Sequence, residues 1–575
     1  MRFLLLYPPD HRLGHSPYYS LPVLAGQLKR AGHEVRIRDV NAEAITLLLD
    51  DDILATYYDL AQERVEALSA KRSRTPAEEV QLNFVKSALR MPREMVIRGG
   101  TARRTMLDHS AFYDPAAFRE SLTAATRSCE FLFSGFLGPS PYLDDFHAAM
   151  IRSIEGGIES PITMVYQHGL IDSLVAEQPD VIGLTMPFQE QIQEGFYLAH
   201  QLRQRLPNAK IIIGGPQVTK YRDQFFKNSS LFRFIDGAFM YDGDDPIVQY
   251  AEMVAGQRAI DQVNNLYWSS GGAVFCNGAP TPTPLNTIAP PSYDGVDFAH
   301  YLKPEPVYAL ETSRGCCWGK CTFCSEAFRD GFNMRSPEKV FEDIKHLVET
   351  YGARFLFFWD SLMPPKTMMI VADKIAEAGY DVHWWADTKF YNFYLKPEFC
   401  ERLKKGGAAA LHVGLESANQ RVLDLQEKGT EIAKVPEMMR NIKNAGIIMQ
   451  CSWFIGFPGE TKAEMQETLA FIRDHRETLD LSIFCGSYYF ELGTKVAMEP
   501  DRFGGHIEKL DGDYRYVPNG EEQGWLSDEL RLSTEARYAE ITDMDLMCHG
   551  GYVLHHVNRP GADLHLLSRS EYQAV

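Results

Sequence analysis

Six apolar runs recur between residues 307 and 487, with stretches of helical spacing between them, and this alternation limits the fold more than any other feature. The runs are Val307–Thr312, Ala353–Trp359, Asp381–Ala386, Ala410–Leu415, Met449–Ile455 and Leu481–Ser487. Parallel strands need long crossovers, usually helical, so strand–helix repetition predicts an all-parallel sheet. Ser336 followed by Pro337 marks the first crossover helix, with Ser as cap and Pro in the first turn. The series is expected to form a partial (βα) barrel over residues 301–500, with its active site at the C-terminal strand ends.

The N-terminal half carries a different α/β pattern. Residues 2–7 (RFLLLY) read as a strand buried on both faces, Leu21–Ala31 as a helix stopped by Gly32, and His33–Asp39 as a second strand. Asp180–Thr185, Lys210–Gly214 and Ile235–Ala238 continue the strands, with helices over Gln189–Leu206 and Pro246–Val254. A doubly wound α/β domain over 1–256 is therefore expected, interrupted by a helical insertion at about 41–175. Residues 257–300, rich in Pro at Ala279–Pro284 and Ala289–Pro291, read as a linker, and 501–575 as a small C-terminal domain.

Ten cysteines in 575 residues are too few for a disulfide scaffold, yet four lie between 316 and 324. No window is apolar enough to span a membrane, and the opening run is too short for a signal peptide, so a cytoplasmic protein is expected. In a reducing compartment clustered cysteines point to metal or redox chemistry. Cys317, Cys321 and Cys324 have the spacing C-x3-C-x2-C, which can hold three irons of a cubane and leave the fourth open. A net charge of −19 argues against nucleic acid, and Arg90–Arg104 lacks the aromatics for base stacking. Walker loops, His-Glu-x-x-His and nucleophile elbows are absent from the sequence.

The cysteine run, with Phe323 before the last cysteine, resembles the signature of radical S-adenosylmethionine (SAM) enzymes. The family's Ser-Arg-Gly-Cys run aligns Cys316 instead as the first ligand, whereas spacing selects Cys317. The resemblance implies a 4Fe-4S cluster on Cys317, Cys321 and Cys324, and SAM contacts from Phe323, Asp360, Lys389, Glu416 and Ser417. Gly414-Leu-Glu-Ser417, Lys428-Gly429 and Ile455-Gly-Phe-Pro-Gly-Glu-Thr461 extend the likeness along the barrel. Lys389 stands where relatives often carry Arg, so the forked pairing of a guanidinium is lost.

Ahead of the barrel, Tyr7-Pro-Pro9, Ala31–Val35, Gly183–Thr185 and Gly214-Gly-Pro-Gln217 resemble the cobalamin-binding domain of the B12-dependent class. That likeness implies cobalamin held by Thr185, Gly214, Gly215, Pro216 and Gln217, the glycines admitting its nucleotide tail. The Asp-x-His-x-x-Gly motif is missing; His11 and His15 lie in the matching loop at other spacings and read as surface residues. The resemblance implies a C-methyltransferase that uses SAM both as methyl source to cobalamin and as source of a 5′-deoxyadenosyl radical. It equally allows rearrangement, ring contraction or cyclisation, and a cobalamin-binding sensor or carrier is the reading of a different class. Expected partners are a small-molecule or peptide substrate and an external electron donor such as flavodoxin or ferredoxin, without nucleic acid or membrane. Catalytic residues beyond these, and the substrate, are not readable from the sequence.

Overall fold

The computed structural model describes residues 1–14, 16–136, 146–156, 160–278, 280–328, 331–510 and 513–519. The chain divides into two compact units between Glu305 and Pro306. Among the described residues no helix is long and apolar enough to cross a membrane.

In the first unit, β1 (Arg2–Tyr7), β2 (Glu34–Asp39), β3 (Val181–Thr185), β4 (Lys210–Gly214) and β5 (Gly237–Phe239) form a parallel sheet. The strand order β2-β1-β3-β4-β5 is that of a flavodoxin-like doubly wound domain. Its two directions of winding diverge between β1 and β3, and such folds take ligands beside the C-terminal strand ends at that point. The continuous apolar run of β1 fits its central place: Phe3, Leu5 and Tyr7 pack with Leu21 and Leu28 of the Ser20–Arg30 helix and with Ile212 of β4. The helical insertion lies between β2 and β3, with long helices at Asp51–Ala70 and Pro115–Phe136. Its basic stretch is ion-paired at the surface, through Arg98–Glu120 and Arg104–Asp51.

The expected linker over 257–300 is only partly a linker. β6 (Leu266–Ser270) and β7 (Ala273–Cys276) add an antiparallel hairpin to the sheet beyond β5. The Pro-rich remainder is bonded to the first helix, Ala289 N–H donating to Gln27 and Ser292 N–H to the Pro22 carbonyl. Proline density concealed these contacts, because a segment without helix or strand can still satisfy its backbone against a neighbour.

In the second unit, β8 (Val307–Leu310), β9 (Ser313–Arg314), β10 (Asn333–Met334), β11 (Phe355–Phe358), β12 (His383–Thr388), β13 (Ala408–Glu416), β14 (Ile448–Ile455) and β15 (Leu481–Ser487) follow in chain order. Six of them pair in the sequential order β8-β11-β12-β13-β14-β15, all parallel, with β8 and β15 as its edges. Each begins and ends within two residues of the sequence expectation. β16 (Gly505–Leu510) and β17 (Asp513–Pro518) form a hairpin that packs on the second unit through Tyr516. The rest of the expected C-terminal domain, from 520 on, lies outside the described residues.

Gly215 shows how tightly the first sheet is built at its C-terminal edge. Its φ is +107°, and a Cβ there would lie 2.8 Å from the Met186 backbone nitrogen. Gly215→Ala should therefore cost about 1–3 kcal/mol of stability, read as a lower urea midpoint without a changed slope.

Candidate functional site

The loop that leaves β8 has almost no secondary structure, so other groups must satisfy its backbone. Asp360, just beyond β11, supplies the first anchor. Its carboxylate accepts the Thr312 N–H at 3.0 Å, the Thr312 hydroxyl at 2.9 Å and the Ser313 hydroxyl at 2.7 Å. Asp360 is buried, and desolvation pushes its carboxyl up to about 7 although these bonds favour the ionised form. A group so fully engaged is a support of the loop.

Arg335 supplies the second anchor. It is wholly buried, ion-pairs with Asp343 and lies 3.5 Å from Glu311, while its N–H donates to the Thr312 carbonyl. Glu311 also holds Arg314 in a two-point pair at 2.8 and 3.1 Å. β10 pairs antiparallel with β9 directly ahead of the cysteines. Buried charges are tolerated when paired in this way.

The third anchor is the ridge at 425–429. Thr322 N–H donates to the Gln426 carbonyl and its hydroxyl to that of Leu425, while the Trp318 indole N–H donates to the Glu427 carbonyl at 2.9 Å. Gly429 has φ +64°, and any Cβ there would collide with the Trp318 ring. That contact explains the glycine of the Lys428-Gly429 pair.

Two lysines stand beside the thiols. Lys428 Nζ donates to Glu416 at 2.7 Å, and this pair lies where a Cβ on Gly414 would stand. Burial disfavours the Lys428 charge, but Glu416 and Cys321 hold its ammonium above the ordinary value. Lys389 Nζ sits 3.4 Å from the Trp318 ring centre and donates to the Lys428 carbonyl at 2.5 Å. Burial, then Lys428, pull Lys389 down to about 8. Glu416 adopts a left-handed φ of +63°, which a non-glycine residue takes only when its surroundings hold it there.

The predicted residues therefore fall into two groups. Lys389, Glu416 and Phe323 gather around the cysteine loop, Phe323 packing edge-on against Phe454 with Lys428 5.8 Å above its ring. Ser417 has other partners: it is buried, paired with the Thr468 hydroxyl at 3.1 Å and accepting the Asn419 N–H. The Gly456–Thr461 turn is closed by Glu460, which accepts the N–H groups of Gly456 and Phe457; burial pushes its carboxyl up to about 7.

All four cysteines of the loop are free thiols. Burial raises Cys321, and raises Cys324 to about 11, while the positive charge of Lys428 opposes the shift at Cys321. Among the described residues no group of three or more His, Cys, Asp or Glu side chains is arranged to hold a metal ion. Thiolates that each take a separate iron of a cubane need not converge on one point, and three free thiols with two ammonium groups beside them fit an anionic cluster.

A further polar row was not foreseen. On the face of β12–β14 opposite Trp384, His412 Nδ1 lies 3.0 Å from Asp387 and is next in register to Gln450. Burial alone would lower the imidazole, but Asp387 and Glu416 raise it above the ordinary range. Trp385 Nε1 and Gln450 Oε1 are buried without a hydrogen-bond partner among the described residues. Only the strand register, absent from the sequence, brings these four residues together.

In the first unit, Thr185, Gly214, Gly215, Pro216 and Gln217 do lie at the C-terminal ends of β3 and β4. The space beside Gly215 is taken by the backbone of Met186, not left for a ligand. Gln217 N–H donates to the Met186 carbonyl and its side chain to that of Pro187, and Pro216 opens the short helix Pro216–Lys220. Thr185 accepts the Ser20 hydroxyl at 3.3 Å across the junction of β1 and β3. His11, expected at the surface, is buried against Phe133 and 3.6 Å from the buried Glu194. His15 lies outside the described residues.

Residues 310–472 match the family model described as Radical SAM superfamily, so the second unit carries a Radical SAM domain. An uncharacterized methyltransferase of Pyrococcus horikoshii is 26% identical over 302 residues, covering 51% of this chain and 64% of that protein. An anaerobic magnesium-protoporphyrin IX monomethyl ester cyclase of Cereibacter sphaeroides is 25% identical over 339 residues, 56% of this chain and 54% of the cyclase. The matched stretches thus span just over half to just under two thirds of these relatives. Among solved structures, the cobalamin-dependent SAM radical enzyme OxsB, with aqua-cobalamin and SAM bound, superposes with a TM-score of 0.54 at 16% identity. That likeness covers 64% of this chain and 60% of OxsB and concerns the fold.

Because the folded state keeps Asp360 protonated to about pH 7 against an ordinary 3.8, it binds more protons than the unfolded chain between those values. This contribution is complete below the lower value and is lost as pH rises through the upper one. Asp360→Asn, which cannot ionise, should flatten the fall in urea-unfolding stability from about pH 4 to about pH 7.

Proposed function

We propose that this chain is a cobalamin-dependent radical SAM enzyme that transfers methyl to an unactivated carbon of a small-molecule or peptide substrate. The observation that carries the reading is a loop of free thiols at the C-terminal edge of a sequential parallel sheet, backed by Lys389 and Lys428. In this reading a 4Fe-4S cluster is held by Cys321, Cys324 and one of the two cysteines at 316 and 317, and SAM lies beside Lys389, Glu416 and Phe323. When bound, the cluster and SAM supply a 5′-deoxyadenosyl radical, and cobalamin supplies the methyl group.

The protein's own residues have defined tasks. Asp360, Arg335 and the 425–429 ridge fix the loop, which limits the positions open to the thiols before any iron arrives. The ammonium of Lys428 compensates negative charge at Cys321, and Lys389, with its depressed pKa, offers a cation for a carboxylate of SAM. His412, held by Asp387, presents its imidazole on the sheet face opposite Trp384, suited to meet a substrate oxygen. In the first unit the β1/β3 junction at Ser20 and Thr185 is the place for cobalamin. Electrons would come from a flavodoxin- or ferredoxin-type donor.

The relationship to a cyclase favours a second reading, in which the same radical drives ring closure without methyl transfer. Anaerobic reconstitution and reduction in the presence of SAM should release 5′-deoxyadenosine, and its absence from a fully loaded protein would sink both readings. Formation of S-adenosylhomocysteine and methylcobalamin selects methyl transfer; their absence selects cyclisation or rearrangement. Cys321→Ala should lose the cluster's visible absorbance and most of its iron.

A further inference from the structure

Two adjacent cysteines compete for the first place in the thiol set, and the chain sends them in different directions. Gly315, with φ +78°, sits where a Cβ would come within 2.6 Å of the Gly331 carbonyl oxygen, so the turn into the cysteines is held close against the 331–335 segment. Cys316 follows at once and is half-buried. It opens the 316–324 stretch directly behind the β9–β10 pairing, while the next residue leaves that cover. Cys317 is exposed, and its sulfur lies 3.4 Å from the Tyr391 hydroxyl.

The next residue explains the divergence. Trp318 is fixed through its N–H to Glu427, its ring over Gly429 and the Lys389 ammonium above it. Gly319, with φ +57°, then turns the chain back toward Cys321. With Trp318 held in this way, the additional residue is accommodated with the exposed Cys317 thiol against the Tyr391 hydroxyl, a contact that moving Cys317 to iron would break.

We propose that Cys316, Cys321 and Cys324 bind the iron–sulfur cluster, a C-x4-C-x2-C set, and that Cys317 is a thiol beside the cluster that holds no iron. The inference rests on the reading of this loop as a cluster site, and it overturns the choice made from spacing alone.

The test uses the anaerobically reconstituted full chain. Brief treatment with iodoacetamide, then unfolding, a second distinguishable label and fragment sequencing of the Gly315–Lys320 peptide report each thiol separately. Cys317 should be alkylated in the native holoprotein along with the exposed Cys276, while Cys316, Cys321 and Cys324 stay protected until the iron is chelated. Cys316→Ala should lose most of its iron and the electron paramagnetic resonance signal of the reduced cluster, whereas Cys317→Ala keeps both. Protection of Cys317 by the cluster, or an intact cluster in Cys316→Ala, would overturn the assignment. Wild-type protein that takes up no iron would overturn the cluster reading itself.

Discussion

Everything proposed for the second unit depends on holding an irregular loop of thiols in one conformation. A fourteen-residue passage from Glu311 to Cys324 leaves the sheet with little ladder pairing, and its conformational entropy must be met by other contacts. The structure meets it with charge. Asp360 takes Thr312 and Ser313, Arg335 and Glu311 brace the return strand, and Trp318 locks onto the 427–429 backbone. Asp360, Arg335 and Glu311 are buried polar groups whose removal leaves a partner unsatisfied, at about 1–3 kcal/mol or more. The loop is fixed by what surrounds it.

The first unit solves a related problem in another way. Its winding reverses where β1 and β3 diverge, and there the backbone is sealed by short contacts such as Gln191 to the Pro8 carbonyl and Ser20 to Thr185. Gly215 allows the chain to fold back on Met186, which closes one side of that junction. The buried His11–Glu194 pair ties the β1 loop to the insertion helix through Phe133. The insertion therefore helps to shape the edge of the sheet it interrupts.

The strands and the long helices were legible because buried strands and amphipathic helices leave periodic traces in the chain. Residues 266–276 were missed because a short edge hairpin, Leu-Tyr-Trp-Ser-Ser then Ala-Val-Phe-Cys, is followed closely by two proline-rich segments that dominate the composition of the stretch. The site was legible as a set of motifs but not as a set of roles. Ser417 belongs to one of the motifs and Asp360 ends a strand, and both carry suitable chemistry, yet they hydrogen-bond within the protein. Asp387 and His412 are 25 residues apart and belong to no motif; register alone makes them neighbours.

Glycines make the same point from the opposite side. Gly414 is needed because the Glu416–Lys428 pair crosses its face, and Gly429 because Trp318 does. Both serve to place charge beside sulfur. In a chain with net charge −19, two buried ammonium groups next to the cysteine loop form a local reversal of the field. Burial of a cation costs free energy unless negative charge accompanies it, and among the described residues the direct contacts of the Lys389 ammonium are a carbonyl and aromatic rings. A buried ammonium held in that state gains free energy from any negative charge brought beside it.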